Sequence, residues 1–168
     1  MLLWAECYAA NSIDELDGRC GSGSASSGSY ARTTFGSVDD YTNLYWRFFY
    51  GENIAERAAT LFHEARHAGA WCHHSSDSSC PRGTSCDPSY ENGCQGFGSG
   101  SGKGANGVQV DYFSWYVASA LSYRTTSALK TRARDKANDI LTRGFQKDPC
   151  LIMRSNGSLM SCTGTVQQ

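Results

Sequence analysis

Two histidines and a glutamate form the part of this sequence with the most distinctive chemistry. His63, Glu64 and His67 lie in the segment His63-Glu64-Ala65-Arg66-His67, which matches the pattern H-E-x-x-H. Residues four apart lie one above the other on the same face of an α-helix, so both imidazoles can reach one metal ion. The adjacent carboxylate can then take a proton from a water molecule whose pKa the metal lowers. The spacing therefore predicts a zinc site with Glu64 as the proton acceptor.

A catalytic zinc site needs a third protein ligand and an open position for water. His73 is the first candidate, because it lies ten residues after His63. That interval occurs in the longer pattern H-E-x-x-H-x-x-G-x-x-H. Other side chains able to bind zinc follow the motif, and they stay open as third ligands: His74, Asp77, Glu91 and Asp111. Asp111 would be a carboxylate supplied by a downstream helix.

In these residues the chain resembles the zincin metallopeptidases, and its ligand spacing resembles that of the metzincins. The resemblance implies that the three histidines bind zinc and that Glu64 is the general base. One position departs from the family pattern, since Ala70 stands where the family has glycine and Gly69 precedes it. Met153 loosely resembles the methionine of the family's Met-turn, although it suits an ordinary core position equally well.

The helix that carries the motif is predicted to run from Ile54 to Ala68. Asn53 followed by Glu56 has the residue types of a capping box, which marks a helix start. Gly69 suits the position just after the last helical residue. The sequence therefore predicts both ends of the helix.

Apolar residues of this helix recur on one stripe, which we expect to face the body of the protein. The stripe comprises Ile54, Ala58, Leu61 and Ala65, with Phe62 at its edge. His63 and His67 point nearly the opposite way. The pattern predicts a helix with one face packed and with its histidines open to a cleft.

The remaining segments predict a mainly α fold, or an α+β fold with a small sheet. Further helices are expected over 3–17, from Asp39 or Asp40 through Phe49, over 108–123, and from Thr126 or Ser127 to Gly144. An extended piece is expected at 30–35, and Asn156-Gly157 is expected to turn a hairpin. Glycine and serine dominate 21–29 and about 93–107, which predicts flexible loops. At this length we expect one zincin-like domain over 1–168.

Eight cysteines, an even number, are many for 168 residues, and they predict disulfide-stabilised loops in an oxidising compartment. None of their spacings is C-x-x-C, which disfavours a cysteine-bound zinc ribbon. The compartment would be extracellular or periplasmic. The segment Met1-Leu2-Leu3-Trp4 lacks the basic start of a signal peptide, so we expect the export signal to be absent from this chain.

The composition disfavours two classes of partner, nucleic acids and membranes. The formal net charge of −1 disfavours a dedicated nucleic-acid binder, and no apolar run approaches the roughly 18 residues of a membrane span. We therefore predict a secreted zinc metalloendopeptidase that carries one zinc ion per chain and hydrolyses protein or peptide substrates. The alternative is a non-catalytic, disulfide-rich binding or structural module with a structural zinc ion or no metal. A third possibility is the same hydrolytic chemistry directed at one narrow target.

Overall fold

The computed structural model of this chain describes residues 13, 15–19, 30–34, 41–68, 105–144, 152–160 and 166–167. The chain divides into two compact units, Met1–Trp71 and Cys72–Gln168. Within the described ranges, helices make up most of the regular structure, and two small three-stranded sheets make up the rest. The fold is thus mainly helical with small sheets. That residues 1–168 form one domain stays a prediction.

The first unit contains a three-stranded sheet of β1 (Glu15–Arg19), β2 (Ala31–Thr34) and β3 (Tyr41–Tyr45). β3 lies between the other two strands, parallel to β1 and antiparallel to β2. The antiparallel register sets Thr33 directly opposite Thr42. Directly opposed residues share one face of a sheet, so these two hydroxyls lie on the same side. β2 confirms the extended segment predicted at 30–35.

The helix predicted over 3–17 is wrong at its end. Residues Glu15–Arg19 form strand β1, and Gly18 pairs with Leu44 of β3. Leu16 on this strand is 52% exposed. A short segment with few apolar residues has no strong period of its own, so pairing with a distant strand determined its conformation.

The helix predicted from Asp39 or Asp40 through Phe49 is also partly wrong. Its first part is strand β3, and helix α1 (Trp46–Tyr50) follows without a break. Thr42 and Leu44 are buried, whereas the intervening Asn43 is half-buried, which is the alternation of a strand. Aromatic and β-branched residues also favour strands. The alternation of buried and half-buried residues, with a period of two, therefore indicates a strand here.

Helix α2 (Ile54–Ala68) has the bounds that the sequence predicts. Its capping box is formed in both directions. Asn53 Oδ1 accepts the backbone N–H groups of Ala55 at 2.9 Å and of Glu56 at 3.0 Å. Glu56 Oε2 accepts the backbone N–H of Asn53 at 2.8 Å. These bonds satisfy donors that the first turn of a helix leaves without an intrahelical partner, so the local sequence alone fixes where α2 begins.

The buried side of α2 matches the predicted stripe only in part. Ile54 is 70% exposed, and Ala58 and Leu61 are half-buried. Ala65 and Phe62 are buried as predicted, and Ala55 and Ala59 are buried as well. The helix packs against β2, and Glu64 is also buried. Packing on more than one side of the helix therefore decides which of its residues are exposed.

The second unit is built on two packed helices, α3 (Ala105–Ala118) and α4 (Ser127–Gly144). Their core side chains are Val110, Phe113, Val117, Ala133, Ala137, Ile140 and Leu141. Strands β4 (Ile152–Met153), β5 (Leu159–Met160) and β6 (Val166–Gln167) form an antiparallel sheet beside them. Asn138 of α4 accepts the backbone N–H of Met153 at 2.6 Å and donates to its carbonyl oxygen at 3.3 Å. One amide side chain therefore joins helix to strand.

The predicted start of α4 at Ser127 and its end at Gly144 are confirmed, whereas the predicted bounds of α3 are wrong. α3 begins three residues earlier than Val108, so 105–107, predicted as loop, are helical. It ends at Ala118 rather than at residue 123. Beyond that end, the Tyr116 hydroxyl donates to the Arg124 carbonyl oxygen and the Lys130 ammonium to the Ser119 carbonyl oxygen. These contacts across the turn stop a segment that is apolar enough to continue as helix.

The predicted hairpin at Asn156-Gly157 is confirmed by the pairing of β4 with β5. Gly157 has φ of +87°, a conformation that favours glycine. It also lies against α3, since its carbonyl oxygen accepts the Ser114 hydroxyl at 2.7 Å. A Cβ atom on Gly157 would overlap the Ser114 carbonyl oxygen and lie 3.1 Å from the Ala118 nitrogen. Backbone conformation and close packing both require glycine here.

Several sequence predictions concern residues outside the described ranges. They include all eight cysteines, the loop at 21–29, the part of the 93–107 loop before residue 105, and Gly69 as the helix stop. Met153 is 2% exposed and belongs to the core of the second unit, which agrees with its interpretation as a core residue. Among the helices in the described ranges, none is both long and apolar enough to cross a membrane.

Replacing Asn53 with alanine is expected to lower the free energy of unfolding by about 1 kcal/mol, because two backbone donors of α2 lose their acceptor. Urea denaturation followed by circular dichroism measures the change. Asn53→Ser is the matched control, since serine also accepts these bonds, and it should cost only a few tenths of a kcal/mol. Equal losses in the two variants would contradict the role of the cap.

Gly157→Ala is expected to destabilise the protein by about 2 kcal/mol or more, because a left-handed backbone and a steric overlap add together. Thermal and urea unfolding measure the loss. Ser155→Ala changes an exposed residue of the same turn and should stay within about 0.5 kcal/mol of the parent. A neutral Gly157→Ala would show that the turn relaxes freely.

Candidate metal centre

Helix α2 brings the two histidines of the motif together. The Nε2 atoms of His63 and His67 lie 3.1 Å apart, with ring centroids separated by 4.8 Å and ring planes at 79°. Both side chains are half-buried, and Nδ1 of His63 is buried, so Nε2 is the nitrogen that His63 turns to its neighbour. One helical turn thus sets two imidazole nitrogens side by side.

The separation of these nitrogens fits a shared zinc ion. Two nitrogen ligands at about 2.0–2.1 Å from zinc lie about 3.3 Å apart in tetrahedral geometry. The observed 3.1 Å also suits a hydrogen bond in which one ring donates to the other. The pair can therefore bind a metal with little rearrangement, and it has a stable alternative when no metal is present.

Glu64 lies on the buried side of the same helix turn and is 5% exposed. The Thr33 hydroxyl of β2 lies 2.8 Å from its Oε2 and 3.2 Å from its backbone oxygen. The carboxylate is thus attached to strand β2 through Oε2.

A second hydroxyl supports the first. Thr42 of β3 is fully buried, and its Oγ1 lies 2.7 Å from that of Thr33. Sequence reasoning missed both threonines, because Thr33 lies 31 residues before Glu64 and nothing in its neighbourhood resembles a catalytic motif. The alternation of buried residues in β3 is the signal that would have placed Thr42 inward. The partner of Glu64 followed only from strand pairing.

Burial raises the pKa of the Glu64 carboxyl above its ordinary value of 4.5. The hydrogen bond from Thr33 and the charge of His67 act in the opposite direction and offset part of this effect. A carboxylate with a raised pKa beside a metal site is well suited to accept a proton.

The third ligand is not among the residues brought together here. His73, the first candidate, lies outside the described ranges, as do His74, Asp77 and Glu91. Asp111 is half-buried on α3 in the second unit. In the ranges that are described, no three histidine, cysteine, aspartate or glutamate side chains form a group able to hold a metal. The described site therefore consists of His63, Glu64 and His67 with Thr33 and Thr42.

Comparisons with protein-family models, with curated proteins and with solved structures find no match to this chain. The resemblance to zincins therefore depends on the motif alone.

Metal analysis tests the imidazole pair directly. Protein incubated with zinc and then dialysed is expected to retain about one zinc ion per chain, measured by plasma mass spectrometry. Replacing either histidine with alanine should weaken zinc binding by more than about 100-fold, beyond the effect typical of losing a supporting residue. Arg66→Ala, on the same helix turn, is the control and should keep its zinc. Zinc-free native protein, or unchanged binding in both histidine variants, would contradict the site.

Proposed function

We propose that this protein is a secreted zinc-dependent endopeptidase with a zincin-like catalytic domain. One observation carries the proposal: two imidazole nitrogens 3.1 Å apart lie on the same helix turn as a buried carboxylate attached to the neighbouring strand. Few structural needs would bring these groups together, since burying a carboxylate costs free energy and the histidines contribute little to the apolar core. The proposal assigns zinc to His63, His67 and the third ligand His73.

Zinc bound at such a site supplies a Lewis acid that polarises a carbonyl oxygen and lowers the pKa of a water molecule. Glu64 Oε1 takes the proton of the attacking water, while Oε2 accepts the Thr33 hydroxyl. The same carboxyl then donates this proton to the leaving amine. Oε2 stays with the Thr33 hydroxyl throughout, so the carboxylate keeps its orientation. His63 and His67 would hold the metal through their Nε2 atoms, which lie side by side.

The eight cysteines support the secreted part of the proposal, because disulfides persist in oxidising compartments. The open coordination position separates an enzyme from a structural module, because a structural zinc has four protein ligands. A small hydroxamate should bind the zinc-loaded protein if one position is open. Failure of hydroxamates to bind, together with stable zinc, would favour the non-catalytic module.

Glu64→Gln is expected to keep zinc and helix content while its rate of casein cleavage falls by about 100-fold or more, because an amide cannot accept the proton of the water. Cleavage of fluorescent casein by zinc-loaded protein measures the rate. Asp139→Asn is the control, since it removes an exposed carboxylate in the second unit and should cleave at the parent rate. Equal activity in Glu64→Gln and the parent would refute the role of Glu64.

A further inference from the structure

The carboxylate of Glu64 is held by a chain of two hydroxyls that belongs to the sheet rather than to the motif helix. Thr33 Oγ1 lies 2.8 Å from Glu64 Oε2, and Thr42 Oγ1 lies 2.7 Å from Thr33 Oγ1. Thr33 and Thr42 are opposite each other in the β2–β3 pair, so the sheet fixes their spacing. The two hydroxyls therefore link the fully buried Thr42 to the motif.

The number of hydroxyl protons determines which oxygen donates and which accepts in each of these hydrogen bonds. An ionised carboxylate only accepts hydrogen bonds, whereas a hydroxyl donates one and accepts others. Because Thr33 has a single proton and lies against Glu64 Oε2, it donates that proton to the carboxylate. The short contact with Thr42 is then satisfied when Thr42 donates to Thr33. Thr42 thus sets the direction in which the Thr33 hydroxyl points.

The Thr33 hydroxyl fixes the orientation of the carboxylate. Thr33 Oγ1 lies 2.8 Å from Oε2. Because a carboxylate group is planar, holding Oε2 in place also fixes the direction of Oε1. General-base catalysis depends strongly on this orientation, because the proton acceptor must lie within hydrogen-bond reach of the water.

We propose that Thr33 is a positioning residue for the general base: its hydroxyl, oriented by Thr42, holds Glu64 Oε2 so that Oε1 is directed at the attacking water. This inference rests on the proposed peptidase function. It adds strand β2 to the catalytic machinery, because the motif helix carries the base while the sheet orients it. It also predicts that the hydroxyl at position 33 is needed, whereas the rest of the threonine side chain is not.

Three variants of the zinc-loaded protein test the proposal. Thr33→Val replaces the hydroxyl with a methyl group of similar size, and kcat for a fluorogenic peptide derived from casein should fall by about 10–100-fold, the effect of losing a hydrogen bond to a charged group. KM and zinc content should stay within about twofold, because neither the substrate nor the metal touches the hydroxyl. Thr33→Ser restores the hydroxyl and should return kcat to within about threefold of the parent.

Arg32→Val is the matched control, since it changes an exposed residue on the same strand and should leave kcat unchanged. If Thr33→Val does not fold, Thr42→Val carries the test, because it removes the donor to Thr33 without touching Glu64. Its kcat should fall by about 3–10-fold, less than for Thr33→Val because the hydrogen bond to the carboxylate itself remains.

The outcomes separate this proposal from the peptidase function. Parent protein that cleaves, with Glu64→Gln inactive, establishes the function, and parent protein that does not cleave overturns both. If the parent cleaves and Thr33→Val or Thr42→Val keeps the parental kcat, the positioning role fails while the function stands. A Thr33→Ser variant as slow as Thr33→Val, or a loss seen only as a raised KM or as lost zinc, also overturns the role.

Discussion

A buried carboxylate needs a hydrogen-bond donor, and Glu64 has its donor on a different element of the fold. Its side chain is 5% exposed, and the Thr33 hydroxyl of β2 lies 2.8 Å from Oε2. The bond determines which face of α2 can lie against the sheet, because turning the helix would leave both groups without a partner at a cost of about 1–3 kcal/mol each. The helix packs against β2, and Ala59 and Ala65 are fully buried on the same helix.

Consecutive residues of the motif lie in two different environments. Residues next to each other on a helix point about 100° apart, so His63 and Glu64 cannot share the same surroundings. Here the imidazoles are half-buried beside each other and the carboxylate is turned toward the sheet. Burial of the carboxylate raises its pKa, while the two imidazoles stay partly exposed.

The two units use the same means of joining a helix to a strand. In the first, a helical carboxylate accepts a hydroxyl from the strand; in the second, the Asn138 amide pairs with both backbone groups of Met153. Each unit also buries apolar side chains, among them Phe62 in the first and Leu141 in the second. Packing supplies most of the stabilisation, whereas the polar bond selects the orientation, because hydrogen bonds depend on direction and apolar contacts do not.

The sequence by itself determined the features that depend on near neighbours along the chain. The capping box at Asn53 and Glu56 fixed the start of α2, the four-residue spacing fixed the approach of His63 and His67, and Asn156-Gly157 fixed the hairpin turn. Tertiary structure alone decided that 15–19 and 41–45 are strands, that Ile54 is exposed, and that Thr33 and Thr42 reach Glu64. Local hydrogen bonds act over three or four residues and can be read from residue types. Strand pairing and the choice of a buried face join residues about 30 positions apart, and only the free energy of the assembled unit selects them.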